Sequence, residues 1–354
     1  MSALSENGVP ALKWVAWETT RKCNLDCVHC RSAAGARGEA PLDTGRAFLL
    51  MDRIAEAGKP VFVLSGGEPL LRPDIFELAA YGSRLGFRMA MATNGTLLTA
   101  DTCRRIKDSG IKIVSVSLDG PDAATHDGFR RQEGAFEKIL KGVGELKAHG
   151  VEFIVNSSFT RRNQDRVEDT CRLARELGAK AWYMFMVVPM GRADDLSGEL
   201  ISPEDYERIL KWHLGMEAGE KKMLVRPTCA PSYYRLKLQA AAEAGAGAEM
   251  RSLSFSPGGA KGCVAAQSIA YIDADGAMYP CSYFPLSGGS LFERSVKEIW
   301  DSELFRSFRG DYKGQCGACE YRAVCGGCRA RSLARHGDHL AADPYCAWTG
   351  GGGR

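Results

Sequence analysis

The chain has 354 residues, 45% apolar and 25% charged, enough to bury a core in one large domain with a smaller companion. A net charge of +3 without long blocks of like charge excludes a general nucleic-acid or membrane-surface binder, and no stretch reaches the length of a membrane span. The first residues lack the cationic start and apolar run of a secretory signal, so a reducing cytoplasm is expected, where the thirteen cysteines read as metal ligands or buried thiols.

The first two hundred residues alternate short apolar runs with helical patterns. Trp14–Thr19, Val61–Ser65, Arg88–Thr93, Ile113–Leu118, Glu152–Ser157 and Trp182–Val187 are brief and bounded by turn residues, as strands buried in a parallel sheet should be. Between them the helices have legible ends. Asp43 or Thr44 caps Arg46–Ala57 before Gly58, and Pro73 with Asp74 opens Ile75–Leu85 before Gly86. Thr99 opens a helix closed by Gly110, while Gly150 and Gly178 end two more. Six βα units in series predict an α/β fold with a parallel barrel, left open because eight units are needed to close one. Chemistry in such folds gathers at the carboxyl ends of the strands.

From about Ser202 the alternation stops. Tyr206–Met216 reads as a helix and Pro227–Pro231 as a turn; the Ala-, Gly- and Ser-rich stretch 239–262 reads as a surface helix and a mobile loop. The segment from Cys263 to Cys346 holds seven cysteines and lacks the regular apolar pattern of an independent core, which fits a metal-stapled module. The expected division is a barrel over 12–200, a bridging region over 201–262, a cysteine-rich domain over 263–346 and a flexible tail over 347–354.

Cys23-Asn-Leu-Asp-Cys27-Val-His-Cys30 follows the first strand directly. Iron–sulfur clusters are held by thiolates, normally four. Three close cysteines leave one iron of a 4Fe–4S cluster free to chelate the amino and carboxylate groups of a methionine-like ligand, whose sulfonium is cleaved on accepting an electron. The alternative is zinc with His29 as fourth ligand, but zinc needs four convergent donors and a histidine adjacent to Cys30 should point elsewhere. Ser65-Gly66-Gly67-Glu68-Pro69 follows the second strand. Its glycines let backbone approach a ligand closely, and Glu68 offers a carboxylate to an ammonium group. Alone this reads as a tight turn; one βα unit after the cysteines it reads as part of a site.

These two motifs resemble those of the radical S-adenosylmethionine superfamily. The resemblance implies a partial (β/α)6 barrel in which Cys23, Cys27 and Cys30 hold a 4Fe–4S cluster that binds S-adenosyl-L-methionine. It implies that Gly66, Gly67, Glu68 and Pro69 meet the methionyl amino group and that Ser117 touches the cofactor's carboxylate or ribose. Thr93, Asn94, Arg130 and Asn156 are carried over to the same pocket, although Arg130 reads equally well as a solvated loop arginine.

The remaining cysteines form Cys263-x12-Gly276-x4-Cys281, Cys316-x2-Cys319-x5-Cys325-x2-Cys328 and Cys346. The inner quartet alone suits tetrahedral zinc. The whole order resembles the SPASM extension of the superfamily, a small cysteine-rich domain stapled by auxiliary 4Fe–4S clusters. One departure is that the last pair is spaced by two residues where that pattern usually has three. The resemblance implies that Cys316, Cys319, Cys325 and Cys346 hold one cluster, and that Cys263, Cys281 and Cys328 hold a second. Cys229, in Pro227-Thr-Cys-Ala-Pro231, either completes that second set or is a small buried thiol. Cys103 and Cys171, mid-helix in Asp-Thr-Cys-Arg settings, read as core thiols.

Longer stretches resemble the heme-forming branch, the S-adenosylmethionine-dependent heme synthases of the siroheme-based pathway. They are Leu12-Lys-Trp-Val-Ala-Trp17-Glu-Thr-Thr, His29-Cys-Arg-Ser-Ala-Ala34, Val188-Pro-Met-Gly-Arg192, Thr228-Cys-Ala-Pro-Ser-Tyr-Tyr-Arg235 and Cys325-Gly-Gly-Cys-Arg-Ala-Arg331. This implies conversion of two propionates of iron-coproporphyrin III to vinyls, giving heme b, with electrons from a low-potential donor such as ferredoxin or flavodoxin. A tetrapyrrole with four carboxylates needs arginine forks and aromatic faces. Arg192, Arg226, Tyr233, Tyr234 and Arg235, lying between the two cysteine regions in the chain, are the candidate contacts. His126, His149 and His213 are expected to face solvent, and no histidine stands out as an iron ligand. Three readings stay open beside this one: a peptide maturase forming crosslinks, a deacetylase of didecarboxysiroheme, and a zinc-stapled binding module without catalysis.

Overall fold

The six apolar runs become six parallel strands in the computed structural model, which describes residues 10–35, 42–245, 247 and 261–348. They are β1 (Trp14–Glu18), β2 (Val61–Ser65), β3 (Arg88–Thr93), β4 (Ile113–Ser117), β5 (Phe153–Phe159) and β6 (Ala181–Met186), each paired with its neighbour in sequence. Two extensions were not legible in the pattern. β7 (Leu224–Thr228) continues the sheet beside β6, where the sequence reading expects only a turn at Pro227–Pro231. Pro227 is tolerated there because β7 is the edge strand, whose outer N–H groups have no ladder partner to lose. On the other edge β8 (Ile269–Ile272) runs parallel to β1, and β9 (Met278–Tyr279) turns back antiparallel to it. The order β7-β6-β5-β4-β3-β2-β1-β8-β9 is an open sheet, and its second edge is built by the cysteine-rich segment.

Strand alternation divides the core into two faces. Val15, Trp17, Phe62, Leu64, Met89, Met91, Val114 and Val116 pack outward against helices, while Ala16, Val61, Val63, Ala90, Ile113 and Tyr271 form a smaller cluster on the inner face. The helices are α1 (Thr44–Ala57), α2 (Ile75–Arg84), α3 (Ala100–Asp108), α4 (Ala123–Arg130), α5 (Ala135–Ala148) and α6 (Val167–Leu177). Their starts follow capping chemistry: the side chains of Asp43, Thr99 and Asp122 accept from Arg46, Thr102 and Thr125 N–H. In α1 the buried positions Ala47, Leu50, Met51 and Ile54 recur at helical spacing. Each of its larger buried side chains contributes about 1.5–3 kcal/mol.

α7 (Pro203–Gly219) and α8 (Ser232–Glu243) complete the barrel side. The helix expected at Tyr206–Met216 starts earlier, because Ser202 caps it and Pro203 occupies its first turn. Residues 248–260 of the expected mobile loop, and 349–354 of the expected tail, lie outside the described residues. Cys103 and Cys171 are core thiols, 0% and 2% exposed. The expectation for the histidines fails: His126 and His213 are fully buried, and only His149 keeps partial exposure. His213 stacks on Trp182 with centroids 6.2 Å apart and meets Tyr233 edge-on at 5.1 Å, so it serves as an aromatic core residue. Burial lowers its pKa to about 3. Among the described residues no helix is long and apolar enough to cross a membrane.

Candidate iron–sulfur and cofactor site

The loop after β1 carries Cys23, Cys27 and Cys30, and the loop after β2 docks on it backbone to backbone. Gly67 N–H donates to Thr20 O at 2.7 Å and Glu68 N–H to Lys22 O at 2.8 Å. A Cβ on Gly66, which sits at φ 149, would lie 2.6 Å from Thr20 O, and one on Gly67 would collide with the Lys22 carbonyl. The glycines therefore serve the contact between these two loops. Glu68 is fully buried and accepts from Thr93 Oγ1 at 2.8 Å, Asn94 N at 2.7 Å and Leu70 N at 3.1 Å. Its carboxylate ties the ends of β2 and β3 together. Burial, opposed by these hydrogen bonds, raises its pKa to about 7.

Asn94 Nδ2 donates to Asn24 Oδ1 at 2.8 Å and lies 3.9 Å from Cys23 Sγ. Ser117 Oγ donates to Thr93 O at 3.4 Å, and Asn156 is its register partner across β4 and β5. The residues chosen from the strand ends thus share one end of the sheet with the cysteine loop.

Cys27 is gripped from behind. Arg130, at the end of α4, points Nη1 at Cys27 Sγ from 3.6 Å and pairs with Asp119 at 2.5 Å. Asp119 Oδ1 accepts from Ser158 N at 2.7 Å, and Asp119 N donates to His126 Nδ1 at 3.1 Å. Arg130 is only 8% exposed, so the reading of a solvated loop arginine is corrected. Burial raises the Cys27 thiol while Arg130 opposes it, and burial pushes Cys23 up to about 11. Such thiols become thiolates when a cation supplies compensating charge. His29 stacks on Phe129 at 4.3 Å. Arg192 braces the other side of the loop, with Nε donating to Cys27 O at 2.8 Å and Nη1 to Ala34 O at 2.9 Å.

The C-terminal cysteines fall into two groups. Cys316, Cys319, Cys325 and Cys346 line one small cavity together with Arg235, Tyr321 and Trp348. Cys229, Cys263, Cys281 and Cys328 form the other: burial, then Cys328 and Cys281, push the Cys229 thiol far up, and burial, then Cys263 and Cys328, do the same at Cys281. Cys229 sits just past β7 at φ 56, a left-handed conformation that a non-glycine residue keeps only where its surroundings demand it. Among the described residues no three His, Cys, Asp or Glu side chains converge on the position of a single ion, whereas thiols that ligate different irons of a cubane stand further apart. An all-sulfur donor set suits thiolate-bound iron and not a hard cation.

Of the five candidate substrate contacts, Arg226, Tyr233 and Tyr234 come near one another, whereas Arg192, in the segment after β6, packs against the first cysteine loop. Arg235 pairs with Glu207 at 2.6 Å and lines the first C-terminal cavity. Tyr233, hydrogen-bonded to Glu217, and Tyr234 are buried on α8, and Arg226 on β7 acts electrostatically on both. Sequence reasoning missed Arg31, whose guanidinium stacks on Tyr271 at 4.3 Å and donates to Ser282 O at 3.5 Å. Tyr271 is in turn hydrogen-bonded to Glu18. Arg31 thereby connects the residue after Cys30 to the residue after Cys281; its adjacency to the cysteine motif was the available signal.

Comparison with known proteins agrees with this geometry. The profile described as Radical SAM superfamily matches residues 17–174, and the SPASM iron–sulfur cluster-binding domain matches 263–329. The chain is 42% identical over 347 residues to the AdoMet-dependent heme synthase of Methanosarcina barkeri, covering 96% of this chain and 98% of that protein. It is 41% identical to the protein of that name from Nitratidesulfovibrio vulgaris, over 97% and 94% of the two chains. The Fe-coproporphyrin III synthase of Methanosarcina barkeri is 31% identical over 95% and 88%. In fold, anSMEcpe with bound AdoMet superposes with a TM-score of 0.72 at 19% identity, covering 95% of this chain and 94% of that one. Streptococcus suis SuiB bound to S-adenosylmethionine does so at 0.73 and 16% identity, covering 96% and 78%. The chain belongs to the radical S-adenosylmethionine superfamily, as a SPASM-bearing enzyme of the group that contains the AdoMet-dependent heme synthases.

Proposed function

We propose that the chain forms heme b from iron-coproporphyrin III by oxidative decarboxylation of two propionates to vinyls. The observation that carries this is identity above 40% with AdoMet-dependent heme synthases from end to end, through both cysteine regions. When bound, the 4Fe–4S clusters and S-adenosylmethionine supply a carbon-centred radical that takes a propionate β-hydrogen and an acceptor for the electron left when carbon dioxide departs.

The chain's own residues do the rest. Cys23, Cys27 and Cys30 present three thiolates, with Arg130 and Arg192 holding the loop. Gly66, Gly67, Glu68 and Pro69 would meet the methionyl ammonium group, with the Glu68 carboxylate fixed by three donors. Thr93, Asn94, Ser117 and Asn156 supply polar groups at the strand ends. Arg31, partly exposed between the first loop and the Cys281 loop, is placed to fork a propionate that lies between the two cysteine regions.

The test uses anaerobically reconstituted protein, a strong reductant, S-adenosylmethionine and iron-coproporphyrin III, with products followed by mass. Loss of carbon dioxide and two hydrogens from each of two propionates, with appearance of heme b, is the expected result. Release of 5′-deoxyadenosine with the porphyrin unchanged overturns the substrate assignment and leaves the superfamily standing. The 28% identity with the mycofactocin maturase MftC makes a peptide the substrate class to try next.

A further inference from the structure

Asp343 and Arg331 are each 1% exposed, and together they touch both groups of C-terminal cysteines. Arg331 forks Asp343 with two contacts, Nε to Oδ1 at 3.0 Å and Nη2 to Oδ2 at 2.7 Å. Asp343 Oδ2 also accepts from Cys328 N at 2.7 Å, while Asp343 N donates to Cys316 Sγ at 3.3 Å. Arg331 Nη1 donates to Cys229 O at 2.5 Å, and its guanidinium lies between the rings of Tyr206 and Tyr345, at 5.4 and 4.7 Å. Cys316 belongs to one group of thiols; Cys328 and Cys229 belong to the other. One aspartate thus joins a ligand position of each group through its own backbone and side chain.

Burying two charges is costly even when they pair, and an apolar pair of the same volume would often serve stability as well. A pair kept at this position calls for a role that charge alone can fill. Hydrogen bonds and charge beside cluster thiolates set reduction potential. We propose that Asp343 and Arg331 are a shared positioning pair that sets the potentials of both auxiliary clusters together and gives them a common hydrogen-bonded link. The proposal rests on the grouping of the eight cysteines and not on the identity of the substrate.

The test is an EPR-monitored redox titration of the reconstituted full-length protein, without porphyrin. In Asp343→Asn a negative charge is lost beside both groups, so both auxiliary midpoints should rise while the signal of the Cys23–Cys27–Cys30 cluster stays put. Arg329→Gln is the asymmetric control. Arg329 Nη2 reaches only Cys316 Sγ, at 3.5 Å, so only the midpoint of the Cys316 group should fall. If one auxiliary midpoint alone moves in Asp343→Asn, or neither does at wild-type iron and sulfide content, the shared role is wrong. If Asp343→Asn cannot retain its clusters, loss of both auxiliary signals together supports the link and loss of one alone overturns it. Cys229→Ser separates the premise: an unchanged spectrum removes Cys229 from the ligand set, and an unreacted porphyrin bears on the substrate only.

Discussion

The first cysteine site gathers three thiols from eight consecutive residues, whereas the two C-terminal groups draw on Cys229 past β7, Cys263 and Cys281 on either side of β8 and β9, and five positions between 316 and 346. The barrel loop rests on a scaffold that folds on its own apolar core, with Trp17, Phe62, Leu64 and Met91 fully buried beneath it. The C-terminal region has helices of only five residues at Val296–Trp300, Glu303–Ser307 and Gly314–Ala318; it buries Arg329 and Arg331, and its Phe284, Phe305 and Phe308 join the barrel's apolar core. A metal centre on long regular elements can be local; one set among short elements must recruit ligands from everywhere it has to tie down.

The contrast is broken most severely by removing one thiol from each region. Cys27→Ala should drop 5′-deoxyadenosine release to background while iron and acid-labile sulfide in the C-terminal groups persist; loss of all iron would show that the regions assemble as one. Stripping the iron with a chelator should next distinguish the scaffolds. Amide exchange over 314–348 should quicken by a hundredfold or more, with β2 to β5 still protected, as expected of units with separate sources of stability. Equal loss of protection in the sheet would mean that the barrel also depends on metal.

A smaller effect tests the grip on Cys27. Arg130→Met should lower turnover or iron affinity about 10–100-fold, the usual cost of losing a second partner behind a ligand. Unchanged iron content and rate would remove Arg130 from the site. The smallest effect concerns the barrel core alone. Burial lowers His126 and His213 to about 3, so their contribution to stability is complete above the ordinary histidine value near 6.5 and is lost as pH falls toward 3. His213→Phe should reduce the acid slope of unfolding free energy by up to about 1.4 kcal/mol per pH unit, measured by denaturant titration of the metal-free protein. An unaltered slope would place that titration elsewhere.

Much of this was legible because its signals are local. Six strands matched within a residue or two, since each is a short apolar run between capped helices, and the Cys23–Cys30 spacing stands within one loop. β7 was hidden because Pro227 suppresses a strand reading that only an edge position permits. β8, four residues long, takes its identity from β1, more than 250 residues earlier. His126 and His213 were misplaced toward solvent, and Arg130 was left open between the cofactor pocket and solvent, because a polar side chain in an amphipathic helix gives no sign of its buried surroundings. Of the candidate substrate residues, Tyr233 and Tyr234 come near Arg226, while Arg192 braces the first cysteine loop and Arg235 turns to Glu207, because position in the chain between two cysteine regions does not fix direction in space.

The pairing of β8 with β1 has a consequence for exchange of parts between enzymes. Trp14 to Trp17 are in register with Ile269 to Ile272 on one side and with Val61 to Leu64 on the other, so the strand that leads into Cys23 is also the seam to the C-terminal segment. Grafting a foreign C-terminal segment would therefore require it to arrive with a matching strand, and the two cysteine regions are spaced by a ladder of hydrogen bonds, leaving no hinge for a linker to lengthen.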